Sequence, residues 1–101
     1  MTDDWLEARY EKDTNIVYRE IAGEAILVPI RKRASDLDSI YTLNEVGARI
    51  WELIDGQRTL SKIRDLLVDE YDVGVELIKV DLAEFVGQLE EMGAIERASK
   101  V

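Results

Sequence analysis

The run Tyr41-Thr42-Leu43-Asn44-Glu45-Val46-Gly47-Ala48-Arg49-Ile50-Trp51-Glu52-Leu53-Ile54-Asp55-Gly56 changes its period near the start, and the rest of the chain can be organised around that change. Ser39-Ile40-Tyr41-Thr42 has the β-branched and aromatic composition of a short strand. From Asn44 onward, Val46, Ile50, Leu53 and Ile54 recur on one helical face with Trp51 beside them, which predicts a helix over residues 44–54. Thr42-Leu43-Asn44-Glu45 fits the capping-box pattern, and Asn44 can equally serve as the N-cap itself. Asp55-Gly56 supplies the stop. Asn44 is therefore expected to cap, Gly47 to permit close packing of the helix, and Trp51 to lie in the core.

Two more helices are predicted downstream. Thr59 opens one over residues 60–71, with Leu60, Ile63, Leu66, Leu67 and Tyr71 as its apolar stripe. The next covers residues 75–92 and ends at Gly93. Its stripe is Ile78, Leu82, Phe85, Val86, Leu89 and Met92, spaced for a single face. Ala94-Ile95-Glu96 has the makings of a short terminal strand.

Upstream, residues 15–21 and 25–30 read as two strands joined by Ala22-Gly23-Glu24, with Gly23 able to take positive φ and Pro29 ending the pairing. A polar connection over residues 31–38 leads to the strand at 39–42, which is expected at a sheet edge because nothing later in the chain pairs with it. Residues 1–13 are charge-rich, with isolated Trp5, Leu6 and Tyr10, and read as a loosely ordered arm or short helix outside a domain spanning 14–98. The expected fold class is α+β: an N-terminal three-stranded antiparallel sheet followed by a three-helix bundle, on a winged helix-turn-helix-like plan.

Composition narrows the function. A chain of 101 residues makes one domain with one modest core. It contains no cysteine and no histidine, which removes thiol nucleophiles, disulfides, iron–sulfur ligation and imidazole acid–base chemistry together. No metal site or cofactor is expected. No apolar run is long enough to span a membrane, and no signal-peptide core precedes the fold, so a cytoplasmic protein is expected. The net charge is −9, carried almost entirely by residues 35–101, where fifteen acids face seven bases. A surface of that sign repels phosphate backbones.

The central run resembles the signature of the PqqD family: an aromatic residue, Leu43-Asn44, then Gly47, then Ile50-Trp51, closing at Gly56. Thr59 opening a helix, Tyr71-Asp72-Val73 between helices, and Leu89-Glu90-Glu91-Met92-Gly93-Ala94-Ile95 at the end extend the likeness over residues 15–97. The connection over 31–38 and Gly74 depart from the family pattern. The resemblance implies a small winged-helix-like RiPP recognition element without catalytic activity. Such an element binds the leader of a ribosomally made precursor peptide and presents it to a modifying enzyme, often a radical SAM enzyme. The peptide adds as an extra strand beside the third strand and lies against the third helix.

The residues support a groove in that place. The strand formed by Ser39, Ile40, Tyr41 and Thr42 carries no Pro, Lys or bulge signal to block its edge, so it can template another chain. On the third helix Val80, Ala83 and Gly87 form a second line of small or apolar residues beside the core stripe. Gly87 costs ~1 kcal/mol relative to Ala in a helix, and close approach of another backbone is one reason to keep it; a tight contact with the first helix is the other. Val80, Ala83 and Gly87, with Lys79 next to them, are the expected peptide contacts. Arg31-Lys32-Arg33 is either a solvated loop or a contact for an acidic partner. A winged-helix DNA-binding protein is disfavoured because Glu76, Asp81, Glu84, Glu90 and Glu91 oppose the single base Lys79 on the helix that would read DNA. A dimerisation module without a peptide ligand is the other alternative, and a monomer or weak homodimer is expected.

Overall fold

The structure, a computed structural model, describes residues 4–29 and 41–98. A 3₁₀ turn at Asp4–Glu7 leads into β1 (Tyr10–Lys12), followed by β2 (Ile16–Ile21), β3 (Glu24–Pro29) and β4 (Tyr41–Leu43). The helices are α1 (Glu45–Leu53), α2 (Leu60–Tyr71) and α3 (Val75–Glu91), and β5 (Ile95–Arg97) ends the order. Among the described residues this is a mixed α/β domain of three α-helices and two antiparallel sheets. The first sheet has the order β2-β3-β4; the second pairs β1 with β5.

Local chemistry sets the boundaries. The β2–β3 hairpin turns on Ala22 (φ 53°) and Gly23 (φ 84°), so both central residues are left-handed, as the two-residue turn that matches strand twist requires. Gly23 accepts this freely and Ala22 is strained there. Asn44 caps α1, its side-chain oxygen accepting from the Gly47 N–H at 2.7 Å. Thr59 caps α2 by accepting from the Lys62 N–H at 3.1 Å. The sequence boundaries of all three helices therefore hold to within about a residue.

The core draws on every layer. Leu27 of β3, Ile50 of α1, Leu67 of α2, and Leu82 and Leu89 of α3 are almost fully enclosed, and Trp51 joins them as expected. Of the loosely ordered arm or short helix expected at the start of the chain, residues 4–7 form the short helix, of 3₁₀ type, and residues 4–12 pack into the domain. Leu6, Ala8 and Tyr10 are buried, and β1 pairs in register with β5, Glu11 opposite Glu96. The Ala8 carbonyl accepts from the Leu60 N–H at 3.0 Å and the Tyr10 carbonyl from the Gly56 N–H at 2.8 Å, so this segment also ties down the α1–α2 turn. Its apolar residues are too few and too widely spaced to show a period, and the partner strand lies at the far end of the chain. That partner also places the terminal strand: β5 pairs with β1, away from the β2-β3-β4 sheet.

Two carboxylates predict the acid side of the stability profile. Asp55 is held below the usual carboxylate range by the backbone N–H groups of Arg58 and Gln57. Glu70 is held down by its two-pronged hydrogen bond from Arg49, at 2.8 and 2.6 Å. Both folded-state values lie below the unfolded ones. Their stabilisation is therefore complete above the unfolded value of about 4 and is lost as pH falls through the depressed values. Thermal melting should be flat on this account between about pH 7 and pH 5 and decline below about pH 4. Asp55→Asn keeps an acceptor for the turn but cannot titrate, so its acid-side decline should be shallower than the parent's.

Candidate functional site

Among the described residues the outer edges of β2 and β4 leave backbone groups open, and the β4 edge is the one that borders a groove. β4 pairs with β3 on one side, Leu27 opposite Tyr41 and Ala25 opposite Leu43. Among the described residues no strand lies on its other side. The two-residue period turns Tyr41 and Leu43 toward the helices, half-buried and buried respectively, while Thr42 is exposed.

Between β4 and α3 lies a groove of about 240 Å³. One wall is Tyr41, Thr42 and Leu43 with Asn44, Val46, Gly47 and Ile50 from the start of α1; the other is Asp81, Glu84, Phe85 and Gln88 of α3. Tyr41 spans the two walls. Its hydroxyl donates to the Gln88 side-chain oxygen, and its ring lies 6.2 Å from that of Phe85, centroid to centroid. Gly47 sets the depth. A Cβ there would stand 3.2 Å from the Phe85 ring and 3.2 Å from the Asn44 side-chain oxygen. This is the close packing that its sequence position suggested, made against α3.

Of the residues expected to bind a peptide, Tyr41 and Thr42 line the groove. Ser39 and Ile40 lie outside the described residues, as do Arg31, Lys32 and Arg33. Val80, Ala83 and Gly87 are exposed on α3 but are not in the groove wall; Ala83 and Gly87 border a shallower depression with Glu90 and Glu91. The wall that faces β4 lies roughly a third of a turn round the helix from that line. Nothing stands within 4 Å of a Cβ built on Gly87, so no tight contact with α1 exists there. Lys79 is half-buried, with its ammonium 3.8 Å from Glu76.

Sequence reasoning missed Leu77, Phe85 and Gln88. Leu77, 58% exposed, stands i−4 from Asp81 and i−7 from Glu84 and so continues the groove face toward the start of α3, while Val80, 54% exposed, lies beside it and off that face. The signal was present: Leu77 falls off the core stripe at i, i+3 from Val80. Phe85 was assigned to the core, and its ring is in fact half-buried, with one side facing the groove.

A second hollow lies on the other side of α1, bordered by Lys12, Tyr18, Arg49, Trp51 and Tyr71. The Lys12 ammonium sits 5.2 Å from the Trp51 ring, and burial pushes its pKa down against the opposing pull of Asp55 and Glu52. Arg49 there is already committed to Glu70 and Glu52.

The groove joins an open strand edge to a helix face, and an open strand edge suits an extended chain. The family model for coenzyme PQQ synthesis protein D (PqqD) matches residues 24–95. The chain belongs to the PqqD family. The PqqD match runs from the first residue of β3 to the first residue of β5, so it includes the whole groove and leaves out β1 and β2. Among solved structures, TbiB1 in complex with the TbiA(beta) leader peptide matches with a TM-score of 0.70 at 23% identity, over 89% of this chain and 99% of that one. At that identity the likeness shows a common fold. No curated protein matches the chain.

Proposed function

We propose that the protein is a leader-peptide recognition element, a non-catalytic module that holds a ribosomally made precursor peptide for a separate modifying enzyme, a radical SAM enzyme being the leading candidate. The observation that carries this reading is the free edge of β4 running beside α3, with a groove between them walled on the helix side by Asp81, Glu84, Phe85 and Gln88. Membership of the PqqD family supports it, as does a common fold with TbiB1, which is held in complex with a leader peptide. A peptide strand added to β4 gains backbone hydrogen bonds whatever its sequence, and α3 supplies side-chain contacts. Tyr41, Thr42, Leu77, Val80, Phe85 and Gln88 are the proposed contacts. Ala83 and Gly87 flank them and Lys79 lies to the side; Ser39 and Ile40 extend the proposed edge. Arg31, Lys32 and Arg33 are assigned to the partner enzyme or to acidic leader residues. The winged-helix plan and a cytoplasmic setting belong to the same reading, with the domain's boundary moved upstream of residue 14 to take in residues 4–12, which pack into its core. No helix among the described residues is long and apolar enough to cross a membrane.

The test is titration of the ¹⁵N-labelled protein with the leader regions of short precursor reading frames next to its gene. The largest shifts are expected at the amides of residues 41–43 and along the exposed face of α3. Largest shifts in the α1–α2 turn would sink the assignment. Replacing both Leu77 and Val80 by Asp should leave folding intact, since both are already more than half exposed. It should weaken leader binding roughly 10–50-fold, the loss of two partly buried apolar contacts. A doubly substituted protein that binds like the parent would remove α3 from the site.

A further inference from the structure

The groove has a chemical asymmetry that backbone pairing does not explain. Its floor is apolar, made by Leu43, Ile50 and one side of the Phe85 ring. Its α3 rim carries two carboxylates, Asp81 and Glu84, and among the described residues none that lines the groove is a cation. Both carboxylates are exposed, and among the described residues neither has an ion-pair or hydrogen-bond partner. Of the other polar groups there, the Asn44 side-chain oxygen caps α1 and the Gln88 side-chain oxygen accepts from Tyr41. Asp81 and Glu84 are spaced i, i+3, so they stand side by side on one helix face.

We infer that this groove accepts a lysine or arginine side chain of the docked peptide, with the stem on the apolar floor and the cationic head between Asp81 and Glu84. This rests on the peptide-binding reading of the β4 edge and names the chemistry that the site selects. A hollow of about 240 Å³ has room for one long side chain. Only a side chain with an aliphatic stem and a charged tip satisfies both the floor and the rim. An aliphatic residue would leave the carboxylates without a partner, and an acidic one would be repelled. Alternate side chains of an added strand face the same way, so a residue two positions from the cation reaches toward exposed Leu77, which continues the same helix face. The selected pattern is therefore a basic residue with an aliphatic residue at i+2 or i−2. The net charge of −9 draws such a peptide toward the protein.

A random dodecapeptide phage library selected on the whole protein tests this without a known leader. Selected sequences should share one Lys or Arg with an aliphatic residue two positions away. As synthetic peptides they should shift the amides of residues 41–43, and norleucine in place of the basic residue should weaken binding about tenfold, as expected for two partly exposed ion pairs. In Asp81→Asn, Glu84→Gln protein that tenfold preference should vanish while the norleucine peptide binds as before. Selected peptides that shift residues 41–43 but show no basic preference would overturn this inference and leave the β4 docking reading standing. Selected peptides that leave residues 41–43 unshifted would overturn both.

Discussion

A chain beginning at residue 13 should lose most of its stability, although the segment removed lies wholly outside the part that matches the PqqD family model. Leu6 and Tyr10 are 4% and 6% exposed, and Ala8 lies beside them in the core. Truncating one large buried side chain to Ala costs about 2–5 kcal/mol, and here two such side chains go with their backbone. β5 loses its only strand partner among the described residues, and the Leu60 and Gly56 N–H groups lose their acceptors on Ala8 and Tyr10. The sum is roughly 5 kcal/mol or more, against a total of about 5–15 for a domain of this size. A fall in Tm of about 20–40 °C follows, or no cooperative transition at all. Circular dichroism melts of the two chains decide it. A truncated chain melting within about 5 °C of the parent would mean that residues 4–12 add little to the core.

The same segment marks where sequence reasoning stops. The three helices were legible because each repeats its apolar residues often enough to define a face, and Asn44, Thr59, Gly56 and Gly93 mark their ends. The β2–β3 hairpin was legible from its composition and its Gly turn. β1 was not, because three residues cannot display a period and its pairing with β5 is a contact between opposite ends of the chain. The groove was half legible. Its strand wall follows from the absence of edge-blocking residues around Tyr41 and Thr42. Its helix wall depends on how α3 is rotated against β4, and a sequence fixes only which residues share a face, not which way that face points. Small side chains at Ala83 and Gly87 suggested a trough; the rotation instead brings Phe85 and Gln88 to the strand, with Tyr41 bridging to both.

Gly47 is the position at which packing and the groove can be separated experimentally. It is buried in the first turn of α1, where a Cβ would stand 3.2 and 3.3 Å from two atoms of the Phe85 ring. Two effects oppose each other in Gly47→Ala. Helix propensity favours Ala by about 1 kcal/mol, while the contact demands that the ring give way by a few tenths of an ångström. Phe85 is half-buried, with open space on its groove side, so it can yield in that direction. The global stability of Gly47→Ala should therefore stay within about 1 kcal/mol of the parent. Its groove should be narrower, and leader binding should weaken several-fold. Gly47→Val adds two further carbons that no small ring movement accommodates. It should cost roughly 2–3 kcal/mol in urea denaturation, in the upper range for overpacking, and close the groove to peptide altogether. If Gly47→Val folds and binds as tightly as the parent, then α1 and α3 are not in the contact that gives the groove its depth. If Gly47→Ala loses as much stability as Gly47→Val, then Phe85 is fixed by the core and cannot swing toward a bound chain.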